Sequence, residues 1–169
     1  MADKKTHIVE KDWTTKAGFR AVVLLLTRGH RCGYLGVEKG HPLHGIDYGE
    51  QTEALPSAEG ESVGKRSMLA VLVSGGNFQS PEMVFDVHGG LTFAGAKGEY
   101  PVNSDLWWFG FDCAHCGDAI DRETLAKHGI EPEYEPISFD GDVVRSLDYC
   151  VDELESLAEQ MATKVKPND

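Results

Sequence analysis

The sequence has no apolar run longer than Ala21–Leu26, far short of the ~20 residues that cross a bilayer, so no membrane span is predicted. No apolar signal core follows the charged opening Met1-Ala2-Asp3-Lys4-Lys5; secretion loses its support and a cytoplasmic location is expected. Cysteine is sparse, with four in 169 residues. Without an oxidising compartment, Cys32, Cys113, Cys116 and Cys150 read as reduced thiols rather than a disulfide framework. Basic residues are outnumbered, 16 Lys and Arg against 28 Asp and Glu, for a net charge of -12. This argues against general nucleic-acid binding, which depends on a basic surface that displaces counterions. Also missing are a phosphate-binding loop, a nucleophile elbow, an H-E-x-x-H helix and a dinucleotide fingerprint, so none of the common mechanisms is announced by a motif.

What is present suits one globular domain over residues 1–169, with 41% apolar and 9% aromatic residues, enough to build a core without covalent staples. Gly18–Thr27 and Gly33–Val37 flank the turn-like Arg28-Gly29-His30 and predict a β-hairpin. Leu106–Phe111 predicts a central strand, Ser67–Ser74 predicts another, and Met83–Val87 and Leu91–Ala94 predict two short ones. Asp121 is placed to cap a short helix through Lys127, with Gly129 and Pro132 beyond its end. From Val143 to Met161 apolar residues recur every three or four positions, while Asp148, Asp152, Glu155 and Glu159 take the opposite, solvated face. A loop over 45–66 and a flexible tail over 163–169 complete an α+β expectation: a mostly antiparallel sheet covered by a C-terminal amphipathic helix.

Two segments gather chemically capable residues. His88-Gly89-Gly90 sets a histidine beside two glycines that permit close backbone approach. Asp112, Cys113, His115, Cys116 and Asp118 follow the aromatic strand within seven residues. The two suggest one composite pocket. His88, Asp112, His115 and Asp118 are the residue types of general acid–base work, and His88, Cys113, His115 and Cys116 are candidate ligands for a divalent metal. The proline within His41-Pro42-Leu43-His44 breaks helical geometry, so these histidines read as exposed loop residues. Charge is unevenly spread: sixteen acidic residues lie between Glu99 and Glu159, whereas Arg28, Arg31 and Lys39 outweigh Glu38 between Arg28 and His44.

The motifs HGGLTF and WWFGFDCAHCGD, with CGYLGVEKGHPLHG upstream, span Cys32 to Asp118. In them the chain resembles a family of small phage and prophage proteins. The resemblance implies a C-terminal amphipathic helix and, for a phage-encoded chain, residence in the bacterial host cytoplasm. By analogy it also gives a biological reason for a nucleotide-binding module, since phages encode proteins that capture nucleotide immune signals without degrading them.

Three functional readings follow, in order. The first is a protein that binds a small anionic, nucleotide-derived ligand without degrading it. Arg28, Arg31 and Lys39 would neutralise phosphate, Tyr34, Trp107 or Trp108 would face a base, and His88 with Gly89 and Gly90 would line the pocket. Adjacent tryptophans on a strand point to opposite faces, so at most one reaches a ligand. The second is a metal-dependent hydrolase of a phosphate ester. The third is a protein whose acidic surface serves as a decoy for nucleic acid or binds a basic host protein. A symmetric homo-oligomer with shared pockets is a further expectation.

Overall fold

The computed structural model describes residues 6–57, 78–132 and 139–167. In chain order the strands are β1 His7–Thr14, β2 Arg20–Leu26, β3 Arg31–Val37, β4 Thr52–Pro56, β5 Phe78–Gln79, β6 Phe93–Gly95, β7 Trp107–Asp112, β8 Asp118–Ala119 and β9 Val143–Val144. The helices are α1 Pro81–Val84, α2 Arg122–Lys127 and α3 Leu147–Lys164. Five strands form an antiparallel sheet in the order β1-β2-β3-β7-β6. β4 and β5 form an antiparallel pair, and β8 and β9 a parallel one. The fold is α+β, a mostly antiparallel sheet with a C-terminal helix. No helix among the described residues is long and apolar enough to cross a membrane.

Alternation along the strands sends apolar side chains to both faces of the sheet. On one face Ala21, Val23, Leu35, Val37, Phe109 and Phe111 pack against Cys150, Leu154, Leu157, Ala158 and Met161 of α3. Gly33 makes this approach possible: a Cβ there would lie 2.5 Å from the Phe111 ring and 3.2 Å from Leu154. On the other face Val22, Leu24, Cys32, Tyr34 and Trp108 are covered by Phe93, Tyr100, Val102 and Leu106. This second cover comes from Phe93 of β6 and from the segment between β6 and β7, whose helical or strand periodicity is too weak to announce it.

The hairpin, the aromatic strand and the capped helix stand where expected. Asp121 accepts a hydrogen bond from Thr124 N at 2.9 Å and starts α2. The long helix begins later than predicted, at Leu147, because Ser146 caps it by accepting from Tyr149 N, while Val143 belongs to β9. Its acidic face is only partly solvated: Glu155 accepts from Trp13 Nε1 at 2.9 Å and Lys16 N at 3.0 Å.

Other expectations are corrected. Met83–Val87 is not a strand. Ser80 and Pro81 open the one-turn helix α1, proline being preset for the first helical position. Its continuation has no strand partner; instead α3 side chains satisfy its backbone. Gln160 accepts from Asp86 N at 2.9 Å and donates to Asp86 O at 2.8 Å, and Lys164 reaches Val84 O. The predicted 45–66 loop contains β4, whose Leu55 turns into the core. The predicted tail at 163–169 is helical through Lys164, Val165 packs on the core, and Lys166 N donates to Ala54 O at 2.9 Å. β1 was missed because its alternation is largely polar; a bulge at Glu10 interrupts its register with β2. The strand expected at Ser67–Ser74 lies outside the described residues.

Candidate functional site

The loop after β7 and the loop before β6 meet on the N-terminal half of α3. β7 ends at Asp112, and a turn closed by Asp118 N donating to His115 O at 3.0 Å brings His115 back over Asp118. Parallel pairing of β8 with β9 then delivers Arg145, the next residue, to Asp118 Oδ1 at 2.7 Å. From the other loop His88 Nε2 reaches Asp118 Oδ2 at 2.7 Å, and His88 Nδ1 lies 2.9 Å from the Tyr149 hydroxyl of α3. The His88 backbone N–H donates to Glu153 Oε2 at 2.7 Å. His115 N also donates to Asp118 Oδ2, at 3.0 Å.

Gly89 is essential to this arrangement. Its φ is +67°, and a Cβ would stand 2.2 Å from His115 Cε1, so the imidazole rests directly on the glycine backbone. The His115 Nδ1 atom is buried without a hydrogen-bond partner, 3.7 Å from Asp118 Oδ2 and 3.8 Å from Asp112 Oδ1. Asp112 is itself held by Thr92 Oγ1 at 3.0 Å and Ala114 N at 3.1 Å.

Burial pushes the Asp118 carboxyl upward, but hydrogen bonds from Arg145, His88 and His115 N together outweigh it and hold it below the usual carboxylate range. It stays ionised at neutral pH. Burial, and next the charge of Glu153, raises the Tyr149 phenol, which therefore keeps its proton and can donate or accept. His88, His115 and Asp118 each turn one ligand-type atom to a common centre, these atoms lying within 4.8 Å of one another.

The other predicted residues are dispersed. Cys113 is buried with its Sγ 3.8 Å from Cys150, whereas Cys116 is exposed; the C-x-x-C pair straddles the surface and neither thiol joins the histidines. The hydrogen bond with Cys150, and next burial, raise the Cys113 thiol well above its ordinary range, and burial raises Cys32 to about 12, so both remain protonated. Trp107 donates to Ile46 O at 2.9 Å on one face, and Trp108 is 1% exposed on the other. Lys39 lines a cavity of about 510 Å³ at the far end of β3, with Phe19, Arg20 and His41.

Arg31 is not available to a ligand. Its guanidinium is sealed between Glu10, at 2.6 Å and 2.9 Å, and Asp121, at 2.8 Å, and it donates to Arg145 O at 2.9 Å. Burial pushes the Asp121 carboxyl up, while hydrogen bonds from Thr124 N, Thr124 Oγ1 and Arg31 more than offset this and lower it. A depressed folded-state value contributes stability that is present above the unfolded carboxylate value of about 3.9 and is lost as pH falls through the folded one. Thermal unfolding followed between pH 6 and pH 2 is therefore expected to show a decline beginning near pH 4, shallower in Asp121→Asn. A parallel decline in both proteins would show that Asp121 contributes none of it.

Arg28 and Tyr34 meet at a second cavity, about 430 Å³, with His30, Thr92, Phe93 and Asp112 also in its lining. Tyr34 presents ring surface only, since its hydroxyl is engaged by that of Tyr100. Arg28 is exposed and carries no ion pair among the described residues, whereas Arg20, Arg31 and Arg145 are each held by a carboxylate. Asp112 belongs both to this cavity and to the surroundings of His115. Tyr149 and Arg145 were missed in the sequence; a lone arginine before an acidic helix was the available signal.

No protein-family model matches the chain, and no curated protein or solved structure matches it.

Proposed function

We propose that the protein binds a small anionic, nucleotide-derived ligand in the cavity beside β3, β6 and β7 and holds it without degrading it. Arg28 carries this reading: it is an exposed guanidinium with no ion pair among the described residues, at the edge of a cavity of about 430 Å³, within the usual ~300–1,000 Å³ of small-molecule sites. A guanidinium fork suits phosphate oxygens. Phe93 and Tyr34 supply apolar ring surface for a base, and Asp112 and Thr92 supply polar groups for a sugar or a base edge. The phage-type resemblance of the motifs supports an anti-defence role, a sponge for a nucleotide signal in the host cytoplasm.

Native mass spectrometry of the gently purified chain, followed by denaturation, is expected to release an intact nucleotide-sized mass. In titrations against a nucleotide panel Arg28→Glu is expected to weaken binding at least tenfold, because charge-assisted hydrogen bonds contribute about 1.5–3 kcal/mol. Affinity unchanged in both Arg28→Glu and Phe93→Ala would remove this cavity as the site.

A second reading, hydrolysis of a phosphate ester, is favoured by Asp112, which connects the cavity to His115 at 3.8 Å. It requires turnover: ligands recovered unchanged after long incubation with the protein and divalent metal count against it.

A further inference from the structure

We propose that His88, His115 and Asp118 form a binding site for a divalent transition-metal ion of the zinc type, next to the nucleotide cavity and separated from it by Asp112. Two imidazoles and a carboxylate are a donor set that such ions take, leaving a further position open. Zinc–ligand bonds of about 2.0–2.1 Å in a tetrahedron separate the ligand atoms by about 3.3 Å. The His115 Nδ1 to Asp118 Oδ2 edge is 3.7 Å and the His88 Nε2 to Asp118 Oδ2 edge is 2.7 Å. An ion therefore draws the first pair together by a few tenths of an ångström and opens the second by roughly half an ångström; the third edge, between the two imidazoles, lies within 4.8 Å and closes by rotation of the rings toward the ion. The second change replaces one hydrogen bond with two metal bonds.

The observation that points to a ligand is His115 Nδ1. This nitrogen is buried and without a hydrogen-bond partner among the described residues, although two carboxylates lie just beyond hydrogen-bonding reach. A buried polar atom left unpaired in this way calls for a missing partner. Since the facing groups are carboxylates, a cation suits the gap.

The surrounding contacts hold the donors in place. Tyr149 fixes the His88 ring through Nδ1 and leaves Nε2 toward Asp118. When a metal takes Nε2, the imidazole proton moves to Nδ1 and donates to the Tyr149 oxygen, which accepts as readily as it donates. Arg145 grips Asp118 through Oδ1, while Oδ2 keeps its bond from His115 N at 3.0 Å and offers the ion the lone pair that now faces His88 Nε2. The guanidinium opposes a second cation nearby, and Asp112, 3.8 Å from His115 Nδ1, supplies the compensating negative charge. Gly89 lets the His115 ring sit close enough to take part.

The test uses the full-length, tag-free chain, stripped with a chelator and titrated with zinc and, separately, with cobalt. One equivalent of zinc by elemental analysis, and a tetrahedral cobalt absorption band, are expected. His115→Gln, which keeps much of the side-chain bulk, is expected to weaken zinc binding at least tenfold and to abolish the rise in melting temperature that zinc gives the parent chain. Cys116→Ser is expected to bind like the parent. Absence of stoichiometric binding by the parent chain overturns the site, as does zinc retained at full affinity by folded His115→Gln. Loss of the ion in Cys116→Ser would also overturn it, by assigning the metal to thiolate. The readout is metal, so failure here leaves the nucleotide titrations untouched, and failure there leaves this result standing.

Discussion

Arg31→Ala is expected to destabilise the chain by about 3–5 kcal/mol, the cost of removing one partner from a buried ion pair and leaving its carboxylates uncompensated. Against the ~5–15 kcal/mol that separates folded from unfolded domains, this approaches the limit of foldability. The side chains of Arg31 and Glu10 are 4% and 8% exposed, and the bulge at Glu10 lies in the interrupted register between Val9 and Lys11. Asp121 is the third member, and it also caps α2. One guanidinium thus joins the first strand, the third strand and a helix cap. Its bond to Arg145 O extends the effect to the residue whose side chain holds Asp118. Urea denaturation of Arg31→Ala measures the loss. A change below ~1 kcal/mol, typical of exposed pairs, would refute the structural role. Replacing Arg31, Glu10 and Asp121 together by apolar residues of similar volume is expected to recover much of the stability, since buried ion pairs gain little over well-packed hydrophobic side chains.

Trp108→Ala is expected to cost a comparable ~3–5 kcal/mol, the usual range for deleting a large buried aromatic side chain. The indole lies among Val22, Leu24, Cys32 and Tyr34, and its Nε1 donates to Ser104 Oγ at 3.0 Å. Truncation would open a cavity and release the segment that covers this face of the sheet. The measurement that decides is the pair of melting temperature and ligand affinity. A core tryptophan lowers the first in Trp108→Ala and recovers most of it in Trp108→Phe. A tryptophan that contacts ligand would weaken affinity with little change in melting temperature, and that pattern would contradict the placement of Trp108 in the core.

Period and punctuation made some elements legible. The stripe Cys150, Leu154, Leu157, Ala158, Met161 announced α3, and Asp121 with Gly129 bounded α2. His88, His115 and Asp118 were nameable from their residue types and the glycines beside them. Other features depend on tertiary pairing that leaves little local trace. β1 hides in the polar alternation of His7–Thr14; Glu153 and Gln160 look like ordinary surface residues of an acidic helix, yet they satisfy the backbone of 86–88. Arg31 looked like Arg28 because a sequence shows charge but not its distant counter-charge, here 21 and 90 positions away. Cys113-x-x-Cys116 suggested a paired ligand, and only the turn that points one thiol inward and the other outward separates them.

Asp118 and both histidines are translated well before the groups that aim them. Arg145, Tyr149 and Glu153 lie just before or within α3, so a nascent chain released before that helix emerges has the histidines and Asp118 but not the Tyr149 hydroxyl, the Arg145 guanidinium or the Glu153 carboxylate that orient them. A metal held as proposed would therefore require the chain at least through Glu153. Incomplete translation products, although they contain every residue from His88 to Asp118, would not compete for its ligand.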